Sequence, residues 1–314
     1  MRFDIIVIGS GAAGLSSAIQ LARYNHSVLV FDGGEGRTSW VPKYHNLLGY
    51  PQGITGKELL RLGREQAQMY GAEIVKSLVG RIEKTDEGDF TVTTSSADYR
   101  SRYLVFATGL TDIQPEIPNR YEFAGRSVYY CLDCNGFEFI GQKAAVLGHT
   151  KRAILSAVAL LDYTHHVFIA TNGQPLEGRA EYDELLKEYR IEVIETPVER
   201  FQGVAGVKGK LKALSFQGGS LREVDKALST YGVKGNSKLA EELSVAVNER
   251  GHIIVNDFME TNIPHIYAVG DVINTTQMLV FAICEGVKAA MSIHRAMESK
   301  RQRLPVQDGP DVSD

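Results

Sequence analysis

The chain opens on an apolar run, Ile5-Ile6-Val7-Ile8, and breaks at once into Gly9-Ser10-Gly11-Ala12-Ala13-Gly14. Four to five consecutive apolar residues closed by glycines predict a strand buried on both faces, residues 4–8. From Leu15 to Tyr24 the apolar positions take helical spacing, with Ala18, Leu21 and Ala22 on one face. A second strand is predicted over residues 27–31, ending at Asp32. Strand, tight turn, helix and strand within about 30 residues make a β-α-β unit of the size that begins a dinucleotide-binding domain.

Residues 33–56 are rich in glycine, proline and polar side chains and predict a long loop. A helix follows over 57–70, a short strand over 73–75, and hairpin strands near 80–84, 90–94 and 98–100. A buried strand over 103–107 runs into Thr108-Gly109. Past Pro115 and Pro118 the opening pattern returns: a strand over 143–147, a turn at Gly148, a helix over 152–161 and a strand over 166–170. Two such units about 140 residues apart predict a duplicated nucleotide-binding architecture. Strands are expected over 253–255 and 265–269, the second closed by Gly270-Asp271, then a long helix over 277–297. The tail from Ser299 has little to bury and is expected to be mobile. The expected fold class is α/β, with two dinucleotide-binding, Rossmann-like domains.

Composition narrows the function classes. The chain has 314 residues, 44% hydrophobic and 23% charged, with a formal net charge of -4. That is ordinary for a globular protein and gives no footprint for nucleic acid or a polybasic membrane anchor. No apolar run is long enough to span a bilayer, and no secretory leader pattern precedes Ile5, so a soluble, cytoplasmic protein is expected. Three cysteines, Cys131, Cys134 and Cys284, are too few for a secreted disulfide framework.

Gly9-x-Gly11-x-x-Gly14 alone is a weak signal. Here it follows a strand, opens a helix, and is followed 18 residues after Gly14 by Asp32. Gly9 permits the turn, Gly11 lets a pyrophosphate approach bare backbone, and Gly14 lets helix and strand pack closely. The backbone of Ala12 and Ala13 at the helix start offers N–H groups and a positive dipole end. Asp32, with Gly33 beside it, can accept from ribose hydroxyls.

Thr261-x-x-Pro264-x-Ile266-Tyr267-Ala268-Val269-Gly270-Asp271, followed by a long helix, and Ala107-Thr108-Gly109 carry a family resemblance. The chain resembles the low-molecular-weight thioredoxin reductases over nearly its whole length. The likeness implies domains of three-layer ββα type, the second inserted into the first: residues 1–116 and 233–314 would form the split FAD domain, and residues 117–232 the central one. That likeness implies FAD, held in part by Ala107, Thr108, Gly109, Gly270 and Asp271. The segment His45-Asn46-Leu47-Leu48-Gly49-Tyr50-Pro51 resembles the family's flavin-facing loop and makes Asn46 a contact candidate. The turn near Gln277 and Met278 would aim N–H groups at the flavin pyrimidine edge. A homodimer is also implied.

Cys131-Leu132-Asp133-Cys134 suits a dithiol/disulfide couple or half of a zinc site. Zinc needs two further ligands. The remaining cysteine, Cys284, sits alone in Phe281-Ala282-Ile283-Cys284, which predicts a small core residue, and His149, His165 and His166 are not at paired spacing with it. By the family resemblance, Cys134 would face the flavin and Cys131 would attack the protein disulfide, as a thiolate and through a mixed disulfide. The family usually carries an acid directly after the second cysteine. Here Asn135 stands there and cannot supply a titratable proton. Asp133, Glu138 or water is expected to do the acid–base work.

The second turn, Gly148-His149-Thr150-Lys151-Arg152-Ala153, has Thr150 where a middle glycine belongs. A threonine side chain there blocks close approach of a pyrophosphate. Strand 166–170 ends in Thr171-Asn172-Gly173, with no acid for a ribose diol and no arginine cluster for a 2′-phosphate, although Lys151 and Arg152 could hold an anion. NADPH is therefore not expected to bind. The resemblance narrows to the branch that does not use pyridine nucleotides, described chiefly from cyanobacteria and anaerobes, in which some members take electrons from ferredoxin. The vacated pocket could hold an aromatic side chain such as Trp40, or a second flavin, on fold analogy alone. The leading expectation is an FAD-dependent disulfide oxidoreductase acting on a thioredoxin-like disulfide. A dithiol oxidase using oxygen and a non-catalytic flavin redox sensor remain as alternatives. Lys300, Arg301 and Arg303 are read as a solvated basic run.

Overall fold

The computed structural model describes residues 1–34 and 36–301, the side chains of 299–301 excepted. The chain separates into two compact units. Of the described residues, those within 1–39, 57–110 and 235–301 form the first, and residues 40–56 and 111–234 the second.

In chain order the first unit contributes β1 (Arg2–Ile8), β2 (Val28–Asp32), β3 (Glu73–Lys76), β4 (Val79–Lys84), β5 (Phe90–Thr94) and β6 (Asp98–Phe106). The first link carries β7 (Leu110–Asp112). The second unit holds β8 (Val128–Tyr129), β9 (Ala144–Leu147), β10 (Val167–Ala170), β11 (Glu192–Ile194), β12 (Val198–Gly203), β13 (Leu211–Phe216), β14 (Leu221–Glu223) and β15 (Lys226–Ser229). The return link carries β16 (Val233–Gly235), which pairs with β7, and β17 (Ile266–Ala268) completes the first unit.

The first unit's sheet runs β3-β2-β1-β6-β5-β4, with β17 also on β6. The pairs β2–β3, β1–β2, β1–β6 and β6–β17 are parallel, as a strand–helix–strand chain requires, while β4–β5–β6 is an antiparallel meander. The sequence predicts two strands between 98 and 107, but β6 is one. Residues 98–101 pair with β5, and residues 104–106 pair with β17. Its burial alternates over the first half and is continuous over Tyr103–Phe106, because only the second half lies between covered neighbours.

The helix Ala12–Arg23 packs along the helix Leu279–Arg301. Their contact is close enough that a Cβ at Gly286 would lie 2.3 Å from the Ala13 carbonyl oxygen. The Ser16 hydroxyl donates to the Ile283 carbonyl at 2.8 Å. That last helix runs through Arg301, so residues 299–301 are helical backbone, and Arg303 and the rest of the tail lie outside the described residues.

The second unit repeats the scheme with an all-parallel sheet, β11-β10-β9-β15-β8, and an antiparallel sheet, β12-β13-β14. The helix Lys151–Leu160 follows β9 as the helix Ala12–Arg23 follows β1. The expected fold class is the observed one. Two local expectations are corrected. Residues 253–255 form no strand; Ile253 makes only isolated bridges to Val247 and Ile273, because loop segments rather than a ladder neighbour it. Cys284 is exposed rather than in the core, since it falls on the outer face of its helix between buried Ala282 and Glu285. Among the described residues no helix is long and apolar enough to cross a membrane.

Candidate functional site

The first turn is built by close approach. Gly9 has φ +114°, and a Cβ there would meet the Ala107 carbonyl oxygen at 2.3 Å. A Cβ at Gly14 would fall 1.9 Å from the Gly9 oxygen. Both positions are closed to any side chain. Gly11 differs: it caps the helix Ala12–Arg23 with extended backbone, φ -70° and ψ -178°, and a Cβ added there meets nothing within 4 Å. The open space lies over a helix start whose first N–H groups have no partner within the helix.

Asp32 ends β2 beside that turn. Its Oδ1 accepts from the Gly34 N–H at 3.0 Å, and Arg64 Nη1 lies 3.5 Å from its Oδ2. Gly33 is exposed and follows directly. At the end of β6, Ala107, Thr108 and Gly109 are tied to Asn236. The Thr108 hydroxyl donates to the Asn236 carbonyl at 2.7 Å, and the Asn236 amide returns a bond to the Thr108 carbonyl at 3.0 Å.

The Gly270-Asp271 turn meets the same place. Gly270 has φ +74°, and a Cβ there would lie 2.7 Å from Ala13 Cβ, so this turn and the start of the first helix touch. The Gly270 N–H donates to Glu285 Oε2 at 2.9 Å, and Thr275 Oγ1 donates to Glu285 Oε1 at 2.7 Å. Burial pushes the Glu285 carboxyl above its ordinary range, against the two hydrogen bonds that pull it down. Asp271 pairs with Arg37 at 3.1 Å. Before the last helix, the Gln277 amide lies 3.2 Å from His252 Nε2, and the Met278 carbonyl accepts the first helical bond, from Ala282. His252 is buried, and burial together with nearby Arg250 lowers its basicity.

The structure therefore gathers Gly9, Gly11, Ala12, Ala13, Gly14, Ala107, Gly270 and Asp271 at one edge of the first sheet. Asp32 and Gly33 are one strand away. Asn46 is exposed on segment 40–56, which groups with the second unit. Arg37, Glu285 and His252 were not singled out from sequence. A carboxylate such as Asp271 in a strand-end turn is a reason to look for a cation, but nothing in the spacing of Arg37 points to that partner.

In the second unit Cys131 and Cys134 form a disulfide with Cα atoms 5.3 Å apart. Cys131 caps the short helix Leu132–Asn135, and its Sγ accepts from the Cys134 N–H at 3.1 Å. Both cysteines are partly buried. Asp133 between them is exposed. Glu138 lines a cavity with Tyr129 and Lys226. Burial, helped by the Glu138 charge, raises the Tyr129 phenol's pKa, whereas burial lowers that of the Lys226 ammonium against the same charge. No group of three metal-ligating side chains occurs among the described residues.

The second turn copies the first at its middle position. Thr150 caps the helix Lys151–Leu160 with φ -93° and ψ 167°, and its hydroxyl makes no capping bond. His149 packs edge-on against Tyr231, ring centroids 5.9 Å apart. At the end of β10, Asn172 Oδ1 accepts from the Val198 N–H at 2.8 Å, which commits that side chain to the loop.

Residues 3–299 match the family described as pyridine nucleotide-disulphide oxidoreductase. The thioredoxin reductase of Aquifex aeolicus (strain VF5) is 31% identical over 315 residues, covering 96% of each chain. NADPH-dependent thioredoxin reductase 3 of Arabidopsis thaliana is 29% identical over 312 residues, covering 94% of this chain and 58% of that one. The solved thioredoxin reductase of Streptococcus pyogenes MGAS5005 superposes with a TM-score of 0.86 at 25% identity, covering 95% of this chain and 99% of that one.

Proposed function

The chain belongs to the pyridine nucleotide-disulphide oxidoreductase family, as a thioredoxin reductase-like, flavin-dependent thiol–disulfide oxidoreductase, and from that premise we infer that its electron donor is not NADPH. The observation that carries this reading is Thr150 standing in the backbone conformation of Gly11. At Gly11 the Cβ direction opens into free space. At Thr150 the same direction is filled by a branched side chain, where a second pyrophosphate would need bare backbone. Asn172, bound to its loop, leaves no carboxylate at the end of β10 to match Asp32 at the end of β2.

The residues of the first unit fit FAD. The space over Gly11, the N–H groups of Ala12 and Ala13, and Asp32 suit the pyrophosphate and ribose. Gly270, Asp271 and the Gln277–Met278 turn would hold the flavin end. When bound, FAD supplies the two-electron couple for the cysteine pair.

The chain's own steps are thiol chemistry. With the pair reduced, the Cys131 thiolate attacks one sulfur of a substrate disulfide, forms a mixed disulfide and expels one substrate thiolate. The Cys134 thiolate then attacks Cys131 Sγ, closes the intramolecular disulfide and expels the second substrate thiolate. Two electrons pass to the substrate, and its two sulfurs take up the protons. Asp133, exposed beside the pair, or Glu138 relays those protons in place of the acid that Asn135 lacks. The substrate is a thioredoxin-type protein disulfide, and the donor is a low-potential protein of the ferredoxin kind. The acting form is a homodimer.

Calorimetric titration of the purified holoprotein with NADPH tests the reading. Binding no tighter than roughly 1 mM is expected. A micromolar dissociation constant contradicts it.

A further inference from the structure

The second unit holds a cavity of about 380 Å³ whose wall includes Asn135, the residue after Cys134. Sites for small ligands begin at about this size. Five cations line it, Lys43, Arg126, Lys208, Lys210 and Lys226, against two carboxylates, Glu138 and Asp225. Among the described residues none of the five has an ion-pair partner within 4 Å. Three other lysines of this unit do pair, Lys143 with Glu223, Lys151 with Glu181 and Lys187 with Asp183. Solvated lysines on an open face need no explanation. Lys226 does, because its ammonium is half-buried.

Lys226 Nζ donates to the Arg126 carbonyl at 3.2 Å and to the Tyr129 hydroxyl at 3.1 Å, and it lies 5.2 Å from the Tyr129 ring centre. These partners are neutral. Burial pulls its basicity down, and Glu138 and Asp225 restore only part of it from a distance. Asp225 is already engaged, since its Oδ2 accepts from the Lys143 N–H at 3.0 Å. A partly desolvated ammonium with no anion beside it is costly, and an anion entering the cavity offsets that cost.

We propose that this cavity is a binding site for a pyrophosphate-class anion, free or carried on a small organic body. Five cations against two carboxylates leave an excess of three positive charges. A single carboxylate leaves most of that excess uncompensated, whereas two linked phosphoryl groups match it. The Lys43 loop, the Arg126 turn, the segment bearing Lys208 and Lys210, and the start of β15 bring point charges from four directions, which suits a polyanion better than a planar carboxylate. The site is separate from the degenerate turn at Thr150, and none of its cations belongs to the FAD fingerprint. Asn135 and Tyr129, both in its wall, flank the cysteine segment along the chain.

The test is isothermal titration of the FAD-loaded protein with inorganic pyrophosphate and, in a second arm, with ADP. Binding of either is expected, weakened about tenfold by Lys226→Met, which keeps the aliphatic stem, and by the exposed double variant Lys208→Ala/Lys210→Ala. Arg152→Gln, at the degenerate turn, should leave it unchanged. Tighter binding of ADP identifies an organic source, and equal binding a free one. Absence of heat from both anions overturns the proposal. So does binding that is lost in Arg152→Gln but intact in Lys226→Met. If neither anion binds while Lys208→Ala/Lys210→Ala raises KM for a protein disulfide, the cations serve an acidic protein surface and the proposal fails.

Discussion

Gly11 and Thr150 occupy the same place in two copies of one turn, each capping the following helix with extended backbone, φ -70° and ψ -178° against φ -93° and ψ 167°. Neither conformation requires glycine. The glycine at position 11 is therefore a matter of space rather than of backbone strain, and the threonine at position 150 gives that space up. Under the proposed reading, the second copy of the turn lacks the opening that a dinucleotide needs.

The redox pair makes a prediction that depends on no assay of turnover. With Cys131 and Cys134 joined and Cys284 exposed, native air-oxidised protein should take one maleimide per chain, and reduced, unfolded protein three. Intact-mass measurement reads both. Cys131→Ser and Cys134→Ser should each abolish reduction of a protein disulfide, and each should then show two labelled thiols without reductant. One label in either variant contradicts the pairing.

Arg37 is paired with Asp271 in the turn expected to hold the flavin end. Arg37→Gln removes a charge-assisted bond, so FAD should be lost about tenfold more readily, equivalent to about 1.4 kcal/mol. Flavin absorbance retained after extended dialysis checks it. Arg37→Lys, which keeps charge but not the guanidinium fork, should fall between the two. Equal retention in all three proteins removes Arg37 from the cofactor site.

Glu285 yields a pH dependence with a definite sign. Its folded-state pKa lies above the ordinary value of 4.5, chiefly through burial. The folded state therefore holds this proton more tightly than the unfolded chain. The associated stability is fully present below pH 4.5 and declines as pH rises through the folded value. Glu285→Gln keeps an acceptor for the Gly270 N–H and an amide for Thr275. Its Tm should equal that of the wild type at pH 4 and exceed it increasingly towards pH 8. A constant difference across that range contradicts the assignment.

Much of this architecture is legible in the sequence because glycine positions, apolar runs and their spacing are local signals. The first turn could be read from three glycines and Asp32 because each answers to one geometric need. The misreadings have one cause: they turn on what neighbours an element in space. β6 was divided because its two halves meet different partners on the same edge. Residues 253–255 carry a strand's composition but find no strand to pair with. Cys284 sits in apolar sequence, yet the helix turns it outward. The Arg37–Asp271 pair joins positions 234 residues apart, and the cations around Lys226 come from four separate segments, so no window of sequence holds either.

The most direct measurement is an anaerobic absorbance titration of the FAD-loaded protein, first with NADPH and then with a chemically reduced low-potential ferredoxin. The flavin band near 450 nm should persist through at least about ten equivalents of NADPH, far beyond what micromolar binding requires, and should then bleach with the ferredoxin. Bleaching at one equivalent of NADPH would show that the side chain of Thr150 leaves room for the nucleotide and that this is an ordinary NADPH-linked reductase.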